Sequence, residues 1–559
     1  MPDNMPGGGV AVRIRGFSTI RNNDPLYIID GIPVDGGINF LNPNDIESMQ
    51  VLKDASSASI YGARAANGVV IINTKRGKEG EFNVNLDAYF GVQKAAKQLR
   101  MLNAQQFGDM LWQAMKNDGK TPSHDVYGNG DQAVVPEYLD SNHLIPSDDV
   151  DWVDEILRAA VVQSYNLSFT KADKKSNQLF SLGYYDQQGL VKFSDFKRVS
   201  GRFNSEYKLF DDHLRIGENI SLSHSWGTSV SNNAALGGTL YEAYKFQSIT
   251  PVKNLEDEYA GNVFSDIPNP MGKLYRNKDN QDKKSRLVGN LYAELHLFDG
   301  LMFKTSFGVD YNNLYRRSFS PKYDELNASE KLSSLSNRNA WNFNWVFTNT
   351  LTYNKTFGDH TINALLGMES LRNRYEYFTA SRDGFPSDDP NFRFLDAGDV
   401  GTQKNSGAAT EYSMVSYFGK LDYNYHDRYL VAFTLRRDGS SVFGKDVRWA
   451  TFPSVALGWN FSDEAFMKNF WWLNHGKLRG SWGTSGQVFQ KAYLAQGVID
   501  VGNEFLGVTG MVPAQLANTN LTWEKSEQYD LGLDVDLFDY RLKLKADYYY
   551  KYTKSMLWQ

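Results

Sequence analysis

The chain has 559 residues, a formal net charge of −6 and no cysteine. Its length exceeds that of one ordinary domain, and its negative charge argues against a nucleic-acid partner. Without cysteine there are no disulfide bonds and no thiolate metal sites. Aromatic residues make up 14% of the chain, with 32 Tyr and 34 Phe, which favours β structure. No run of about 18 apolar residues predicts a membrane helix.

The first predicted unit, residues 13–77, is small and of mixed α+β type. Short apolar runs at 26–29, 49–52 and 68–72 are separated by clusters rich in Asn, Asp, Gly and Pro, which form turns. Asp45 is suited to N-cap a helical turn before the second run. We expect the apolar runs to form one small core surrounded by the strands that follow, made of Ile28, Ile29, Val51, Leu52, Val70 and Ile71.

From residue 81 the pattern changes to longer strands in which apolar and polar residues alternate. Such runs, about ten residues long, are typical of tilted membrane strands with one face toward lipid. In one of them we expect Leu531, Leu533 and Val535 to point outward. The alternating residues Asp530, Asp534 and Asp536 are expected to point into a lumen.

The connections between about fifteen predicted strands alternate in length, as in outer-membrane barrels. Short turns are predicted near 171–177, 209–213, 298–300, 354–360, 424–427 and 538–540. Longer connections are predicted near 95–160, 187–195, 228–283, 316–339, 373–410, 437–447 and 486–525. The segment 462–474 is an exception, because it is long for the end that carries the short turns.

Two segments of the first long loop have helical spacing. The segment 103–116 has Asn103 as a candidate N-cap and an apolar stripe, and 150–157 brings Trp152 and Ile156 onto one face. They either pack on the rim of the barrel or help to seat a partner protein.

No catalytic motif is present, so we expect no enzymatic activity, no metal and no cofactor. Gly483–Gly486 is one residue short of a nucleophile elbow. The loop 125–131 resembles a calcium loop, but Tyr127 occupies a carboxylate position and no glutamate closes the loop. An ordinary polar loop is therefore the favoured interpretation.

Aromatic residues in or beside the second long loop are the candidate substrate-binding residues, because sugar rings stack on such side chains. They are Trp226, Tyr241, Tyr244, Phe264 and Tyr275. The alternative is that they pack the loop or belong to an aromatic girdle. Tyr548–Tyr552 and Trp558 are expected in the girdle or facing lipid, since membrane interfaces favour amphipathic rings.

Two stretches carry a resemblance to a known family. DPLYIIDGIPVDGG (24–37) and NPNDIESMQVLKDASSASIYGARAANGVVIINTKRG (42–77) resemble the second half of the plug domain of TonB-dependent outer-membrane transporters of the SusC/RagA type from Bacteroidetes. Near the other end, Trp523-Glu524-Lys525 and Asp547–Tyr550 are similar to the same family. The plug positions that match are Asp30, Gly31, Asp54, Tyr61, Gly62 and Gly68, and we expect them to be structural.

The resemblance implies a mainly β fold, with a partial α+β plug at 1–77 and an incomplete antiparallel transmembrane β-barrel at 78–559. About 15 of the 22 strands of plugged transporter barrels would then be present. The N-terminus lacks the cationic and apolar regions of a signal peptide. We therefore interpret the chain as a fragment lacking both ends, including the segment that contacts TonB.

The implied function is TonB-dependent import of a glycan or oligosaccharide, or alternatively a peptide, across the bacterial outer membrane. The implied partners are a SusD-like lipoprotein, the energising TonB-ExbB-ExbD complex and outer-membrane lipid. A passive porin or an adhesin-like barrel is the alternative, although it would not need residues 13–77. A secreted glycan hydrolase is less favoured, because no pair of acid/base carboxylates is identifiable.

Overall fold

A computed structural model of the chain describes residues 5–20, 22–77, 79–80, 82–230, 238–487 and 492–557. Two bodies are present in them: a small mixed sheet, here called the inner domain (residues 5–77), and a large antiparallel sheet, here called the wall. Trp558, expected in the girdle, lies outside the described residues. No helix among the described residues is long and apolar enough to cross a membrane.

The inner domain is a four-stranded sheet with short helical segments. Its elements are β1 (Leu26–Ile29), β2 (Ile32–Val34), β3 (Ile46–Leu52), α1 (Ala55–Ala58) and β4 (Val69–Thr74), with 3-10 turns at Pro43–Asp45 and Ser59–Arg64. The order is β2-β1-β4-β3, with β1 parallel to β4 and the other pairs antiparallel. Asp30 and Gly31 join β1 to β2 with φ of 48° and 88°, as a two-residue hairpin turn requires.

The inner domain has two small cores instead of the single core that we predicted, because its sheet is covered on both faces. Successive residues of a strand point to opposite faces, so Ile29 and Val70 are buried on one side and Ile28 on the other. Leu52 and Ile71 pack partly buried against the second core. Val51 was expected to be buried but is 51% exposed, because β3 is an edge strand.

The wall contains fifteen strands in chain order, each antiparallel to its neighbours, with β5 and β23 at its two edges. Its first nine strands are β5 (Phe82–Gln93), β6 (Ala160–Ala172), β7 (Ser176–Gln188), β8 (Asp195–Leu209), β9 (Leu214–Gly227), β10 (Gln281–Phe298), β11 (Leu301–Ser320), β14 (Ser334–Phe357) and β15 (His360–Asp383). The others are β16 (Lys404–Tyr425), β17 (Tyr429–Ser440), β18 (Trp449–Trp459), β19 (Leu473–Gln487), β22 (Glu524–Leu537) and β23 (Leu542–Lys554). Two separate hairpins lie in the loops: β12 (Tyr323–Glu325) with β13 (Ala328–Glu330), and β20 (Val498–Phe505) with β21 (Val508–Gln515).

The predicted alternation of short and long connections is confirmed. Short turns follow β6, β8, β10, β14, β16 and β22, whereas connections that include all the long loops follow β5, β7, β9, β11, β15, β17 and β19. In an antiparallel sheet these two sets necessarily lie at opposite ends. The exception at 462–474 is also present, as two 3-10 turns between β18 and β19.

The two faces of the wall are as the alternation predicted. In β22, Leu531 and Leu533 are 55% and 42% exposed, whereas Asp530 is 9% exposed and forms an ion pair with Arg15 of the inner domain. The exposed apolar row is therefore the outer face, and the carboxylate row faces the enclosed space. A row of exposed leucines fits a lipid-facing surface.

Several wall strands are longer than the ten residues that we expected, and β14 and β15 have 24 residues each. Along the outer face of β15, the exposed side chains change from the apolar Leu366 and Met368 to the charged Arg372 and Arg374. The strand therefore continues past the apolar band. The loops at 316–339 and 373–410 are correspondingly shorter, spanning 321–333 and 384–403. In the Tyr548–Tyr552 run one expectation was wrong: Tyr549 faces inward, with the Arg15 guanidinium 4.5 Å from its ring centroid.

In their described residues the long loops carry four α-helices: α2 (Ala104–Asn117), α3 (Trp152–Ile156), α4 (Thr239–Lys245) and α5 (Pro270–Asn277). The cap predicted at Asn103 is confirmed, since Asn103 and Gln106 form a reciprocal capping box at the start of α2. The cap predicted at Asp45 is wrong, because Asp45 ends the 3-10 turn Pro43–Asp45 and Asn42 caps it. Helices α3, α4 and α5 share one apolar cluster that contains Trp152, Ile156, Phe246 and Leu274. The first two long loops therefore pack against each other at one end of the wall.

Candidate functional site

The Asp30-Gly31 turn fastens the inner domain to the wall. The Asp30 carboxylate accepts hydrogen bonds from the Thr74 backbone N–H (3.0 Å) and hydroxyl (2.9 Å), and it forms an ion pair with Arg202 of β8. The Asp30 carbonyl accepts a hydrogen bond from the Asn290 amide of β10, at 3.0 Å. One turn thus joins β1, β4 and two wall strands.

A second group of contacts between the inner domain and the wall lies around Gly62. Arg436 of β17 donates to the Ile60 carbonyl (2.6 Å) and to Asp438 (2.7 Å), while the Ala63 backbone N–H donates to Asp438 (2.8 Å). Arg64 and Arg436 share Glu369 of β15, at 2.6 and 3.1 Å. Arg436 and Asp438 are at most 2% exposed, so the charges balance within a desolvated cluster.

Further wall strands also contact the inner domain. Arg286 of β10 donates to the Asp35 carbonyl at 2.7 Å, and Ser181 of β7 donates to Asp45 at 2.8 Å. Arg15 forms ion pairs with Asp54 (3.0 Å) and with Asp530 of β22, one of the last strands of the wall. Hydrogen bonds or ion pairs thus reach the inner domain from strands β6, β7, β8, β10, β15, β17, β18, β19, β22 and β23. The wall therefore encloses the inner domain.

Burial changes the acidity of the carboxyl groups at this interface. Desolvation raises the pKa of Asp54, with the neighbouring Asp530 adding to the effect and Arg15 opposing it. Desolvation also raises the pKa of Asp45, against the hydrogen bond from Ser181. These carboxylates depend on their partners for the charged form, because burial disfavours charge.

The positions in 24–77 that match the family lie at turns and close contacts of the inner domain. Gly62 has φ 57° and ψ −128°, and a Cβ there would lie 2.3 Å from Arg436 Nε. Gly68 has φ 83°, and a Cβ there would meet the Ile14 side chain at 2.8 Å. Tyr61 packs beside the core of Ile28, and burial raises the pKa of its phenol. Asp54 pairs with Arg15, as described above.

A cavity of about 1400 Å³ lies between the inner domain and the loop end of the wall. Its floor is formed by residues 5–8 and 38–46 of the inner domain. Its sides are formed by the loop ends of β5 to β8 and by the first two long loops, including Tyr185, Phe196, Arg198, Leu240 and Tyr244. The aromatic and amide side chains that line it could contact a sugar or a peptide.

The structure does not bring the five candidate aromatic residues into one site. Of these, Tyr244 lines the cavity. Phe264 packs edge-on against Phe107, with ring centroids 5.9 Å apart, in the apolar cluster of the first long loop. Tyr241 and Tyr275 are 38% and 45% exposed, and Lys245 and Lys278 lie over their rings. Trp226 lies beside His224 at the loop end of β9, on the outward row that includes the exposed Leu222.

The architecture agrees with two family matches. The family described as "TonB dependent receptor-like, beta-barrel" matches residues 225–557, and "TonB-dependent Receptor Plug Domain" matches residues 2–69. The barrel match alone covers more than half of the chain. The chain belongs to the TonB-dependent receptor family. Its inner domain corresponds to the family's plug domain, while the exact division at residue 77 remains a prediction.

Relatives narrow the type of TonB-dependent receptor. The chain is 31% identical to SusC of Bacteroides thetaiotaomicron over 606 residues, covering 99% of this chain and 56% of SusC. It is 32% identical to TonB-dependent receptor P3 of Formosa agariphila, covering 99% and 53%. The chain thus spans about half the length of these curated relatives.

Solved structures agree with the similarity to SusC. The RagAB peptide transporter superposes with a TM-score of 0.85 at 27% identity, covering 99% of this chain and 64% of that one. The siderophore receptor PirA of Acinetobacter baumannii shares the fold, with a TM-score of 0.52 at 13% identity, covering 95% and 62%. The protein is therefore a TonB-dependent receptor of the SusC/RagA type, located in the outer membrane.

Sequence reasoning missed the wall residues that hold the plug. Arg202 and Arg436 are 3% and 2% exposed on the inward faces of β8 and β17. A signal was present, because an arginine on the inward side of an alternating membrane strand needs a partner in the lumen. The partner could not be named, since Asp30 lies 172 residues before Arg202.

Proposed function

We propose that the protein takes part in TonB-dependent import of a glycan or oligosaccharide, or alternatively a peptide, across the outer membrane. The observation that carries this proposal is the enclosure of the inner domain by charged contacts on many wall strands. A plug held in this way blocks passage until energy releases it. A passive porin or an adhesin-like barrel, the alternative, would have no use for such a plug.

The partner in this proposal is a SusD-like lipoprotein that closes over the loop end. Support comes from the similarity to SusC and to RagAB, and from the position of the 1400 Å³ cavity beneath the long loops. Loops held by a rigid scaffold commonly carry binding function. Energy would come from the TonB-ExbB-ExbD complex at the opposite end, which carries the short turns.

No chemical step on the substrate is part of this function. In this proposal the protein binds its ligand and gates its passage. The relatives that we compared are receptors and transporters.

Uptake measurements test the proposal. Cells that express the protein together with a SusD-like lipoprotein should accumulate labelled oligosaccharides or peptides. This uptake should stop when the proton-motive force is collapsed or TonB is deleted. Uptake that continues unchanged without TonB would support the passive porin instead. Co-purification of the lipoprotein tests the partner separately.

A further inference from the structure

A second, smaller pocket lies on the loop side of the inner domain, on the opposite part of the wall from the large cavity. Its volume is about 250 Å³, which holds roughly one sugar ring or one amino-acid residue, since a liquid water takes about 30 Å³. Three parts of the molecule form it. The inner domain contributes Thr19, Asn22 and residues 24–26, 34–36, 63–64 and 66–67, β16 contributes Tyr412 and Met414, and Gln487 and Glu524 come from the places where β19 ends and β22 begins.

Three residues that line this pocket carry buried polar atoms without partners. Glu524 and Asn67 line it and are 1% and 8% exposed, yet the buried Glu524 Oε2 and Asn67 Oδ1 accept no hydrogen bond from the protein. The buried Nε of Arg64, a third lining residue, donates to no acceptor. Buried polar atoms are normally hydrogen-bonded, so this grouping indicates a missing partner.

The charge of the pocket indicates what kind of partner is missing. Two charged lining residues are already paired, Asp24 with Arg13 (2.5 Å) and Arg64 with Glu369 (2.6 Å). Among the described residues, Glu524 and Asp35 form no ion pair within 4 Å, and one oxygen of Glu524 is used by the Leu557 backbone N–H (2.7 Å). The pocket therefore offers mostly acceptors and an excess of negative charge.

We propose that this pocket binds a primary ammonium group of the imported ligand. Arg64 would hold an oxygen on the carbon next to the one that bears the amine. An ammonium group has three donors, which match Glu524 Oε2, Asn67 Oδ1 and the Asp35 carboxylate. The adjacent oxygen accepts from Arg64 Nε. This proposal rests on the proposed import function and narrows its substrate class to ligands that carry a free amine.

This chemistry has two sources, a peptide N-terminus and an amino sugar. Calorimetry on the detergent-purified protein distinguishes them with four probes: triglycine, N-acetyl-triglycine, the trimer of glucosamine and the trimer of N-acetylglucosamine. We expect at least one free amine to bind and its acetylated form to bind at least about tenfold more weakly, because a charge-assisted hydrogen bond is lost. The amine that binds identifies the source.

Substitutions locate the binding in this pocket. Glu524→Gln retains an acceptor for the Leu557 N–H but replaces the free oxygen, so the amine should bind about tenfold more weakly. Asp35→Asn, which removes no described hydrogen bond of the Asp35 side chain, should weaken binding in the same direction. Asp500→Asn, an exposed carboxylate in the β20–β21 hairpin, is the matched control and should bind like the parent protein.

Three results would overturn the proposal: none of the four probes binds, an acetylated probe binds as tightly as its amine, or both pocket variants bind like the Asp500→Asn control. Such a failure is separable from failure of the import function. If energised uptake of neutral oligosaccharides persists, the transporter assignment stands without the amine pocket. If no ligand is taken up in a TonB-dependent way, the import function fails whatever the calorimetry gives.

Discussion

Gly62 of the inner domain lies directly against Arg436 of the wall, and a Cβ at Gly62 would come within 2.3 Å of the Arg436 Nε. The same Cβ would lie 2.3 Å from the Asp438 carboxylate, so no side chain fits without displacing the buried ion cluster. The contact also depends on backbone freedom, because Gly62 has φ 57° and ψ −128°. One glycine therefore sets how closely the inner domain approaches the wall.

Gly62→Ala should destabilise the docked inner domain by about 2–4 kcal/mol, from backbone strain and overpacking together. Native-state hydrogen exchange of the β4 amides measures the opening free energy. Gly31→Ala is the control: Gly31 also has positive φ (88°), but a Cβ there meets nothing within 4 Å, so it should cost only about 1 kcal/mol. Equal effects of the two substitutions would show that the contact with Arg436 is unimportant.

Arg202→Met should lower the opening free energy by about 3 kcal/mol, because it leaves the Asp30 charge buried with an incomplete set of partners. Hydrogen exchange at Thr74, whose N–H donates to Asp30, reports the change. The double variant Asp30→Asn/Arg202→Met should recover part of the loss. The control is Lys331→Met, which breaks the exposed ion pair with Asp324 and should cost less than about 1 kcal/mol. A loss of opening free energy in Lys331→Met as large as that in Arg202→Met would contradict the account.

Leu366→Arg should impair assembly in the membrane, whereas Phe378→Arg should be tolerated. Both side chains are exposed on the outer face of β15, at 65% and 59%. Leu366 lies about 14 Å from the short-turn end, while Phe378 lies about 40 Å from it, beyond the bilayer core. Arginine at mid-depth costs about 2–4 kcal/mol and near the interface about 0–1 kcal/mol. Folding yields in lipid vesicles compare the two, and equal yields would refute the assigned membrane depth.

Tyr127 provides a pH test of the first long loop. It is 1% exposed, and its hydroxyl donates to the Ala104 carbonyl at 2.9 Å. Desolvation, with Asp149 adding to it, raises the pKa of the Tyr127 phenol from 10.0 to about 12. The unfolded loop releases this proton first, so loop stability should fall between pH 10 and pH 12, by about 1–2 kcal/mol after allowance for screening.

Hydrogen exchange of the α2 amides as a function of pH measures this loss, and Tyr127→Phe should abolish it while lowering stability at neutral pH by about 1 kcal/mol. An unchanged alkaline transition in Tyr127→Phe would assign the effect to another group.

The sequence predicted the features that depend on local pattern. The Asp530/Leu531 alternation, the turn at 298–300 and the Asn103 cap each follow from residues adjacent in the chain. The two-sided core was missed because Ile28 and Ile29 both read as apolar. Only the tertiary packing, with wall residues against one face and the short helical segment against the other, shows that both faces of the sheet are buried. Tyr549 was placed outward because its inward partner, Arg15, is far away in sequence.

The candidate site was less predictable than the fold. Tyr244 lines the large cavity, but Phe264 packs in a loop core and Trp226 continues the outward row of β9. Their positions depend on how the first two long loops pack together, which composition does not encode. The wall arginines that hold the plug depend on contacts across hundreds of residues, so no local motif identifies them.

The central claim is that the inner domain must move for ligand to pass, and a reversible cross-link tests it most directly. Ser59 of the inner domain and Ser454 of β18 are buried, with hydroxyl oxygens 2.8 Å apart. Because the chain has no cysteine, Ser59→Cys/Ser454→Cys would introduce its two thiols, close enough for a disulfide. The control Thr356→Cys/Thr361→Cys joins directly opposite residues of two wall strands.

Uptake by cells with the oxidised Ser59/Ser454 pair should stop and should return when the disulfide is reduced, while the Thr356/Thr361 pair should have no effect in either state. Full uptake with the inner domain cross-linked to the wall would contradict the account, because ligand would then be passing a plug that cannot move.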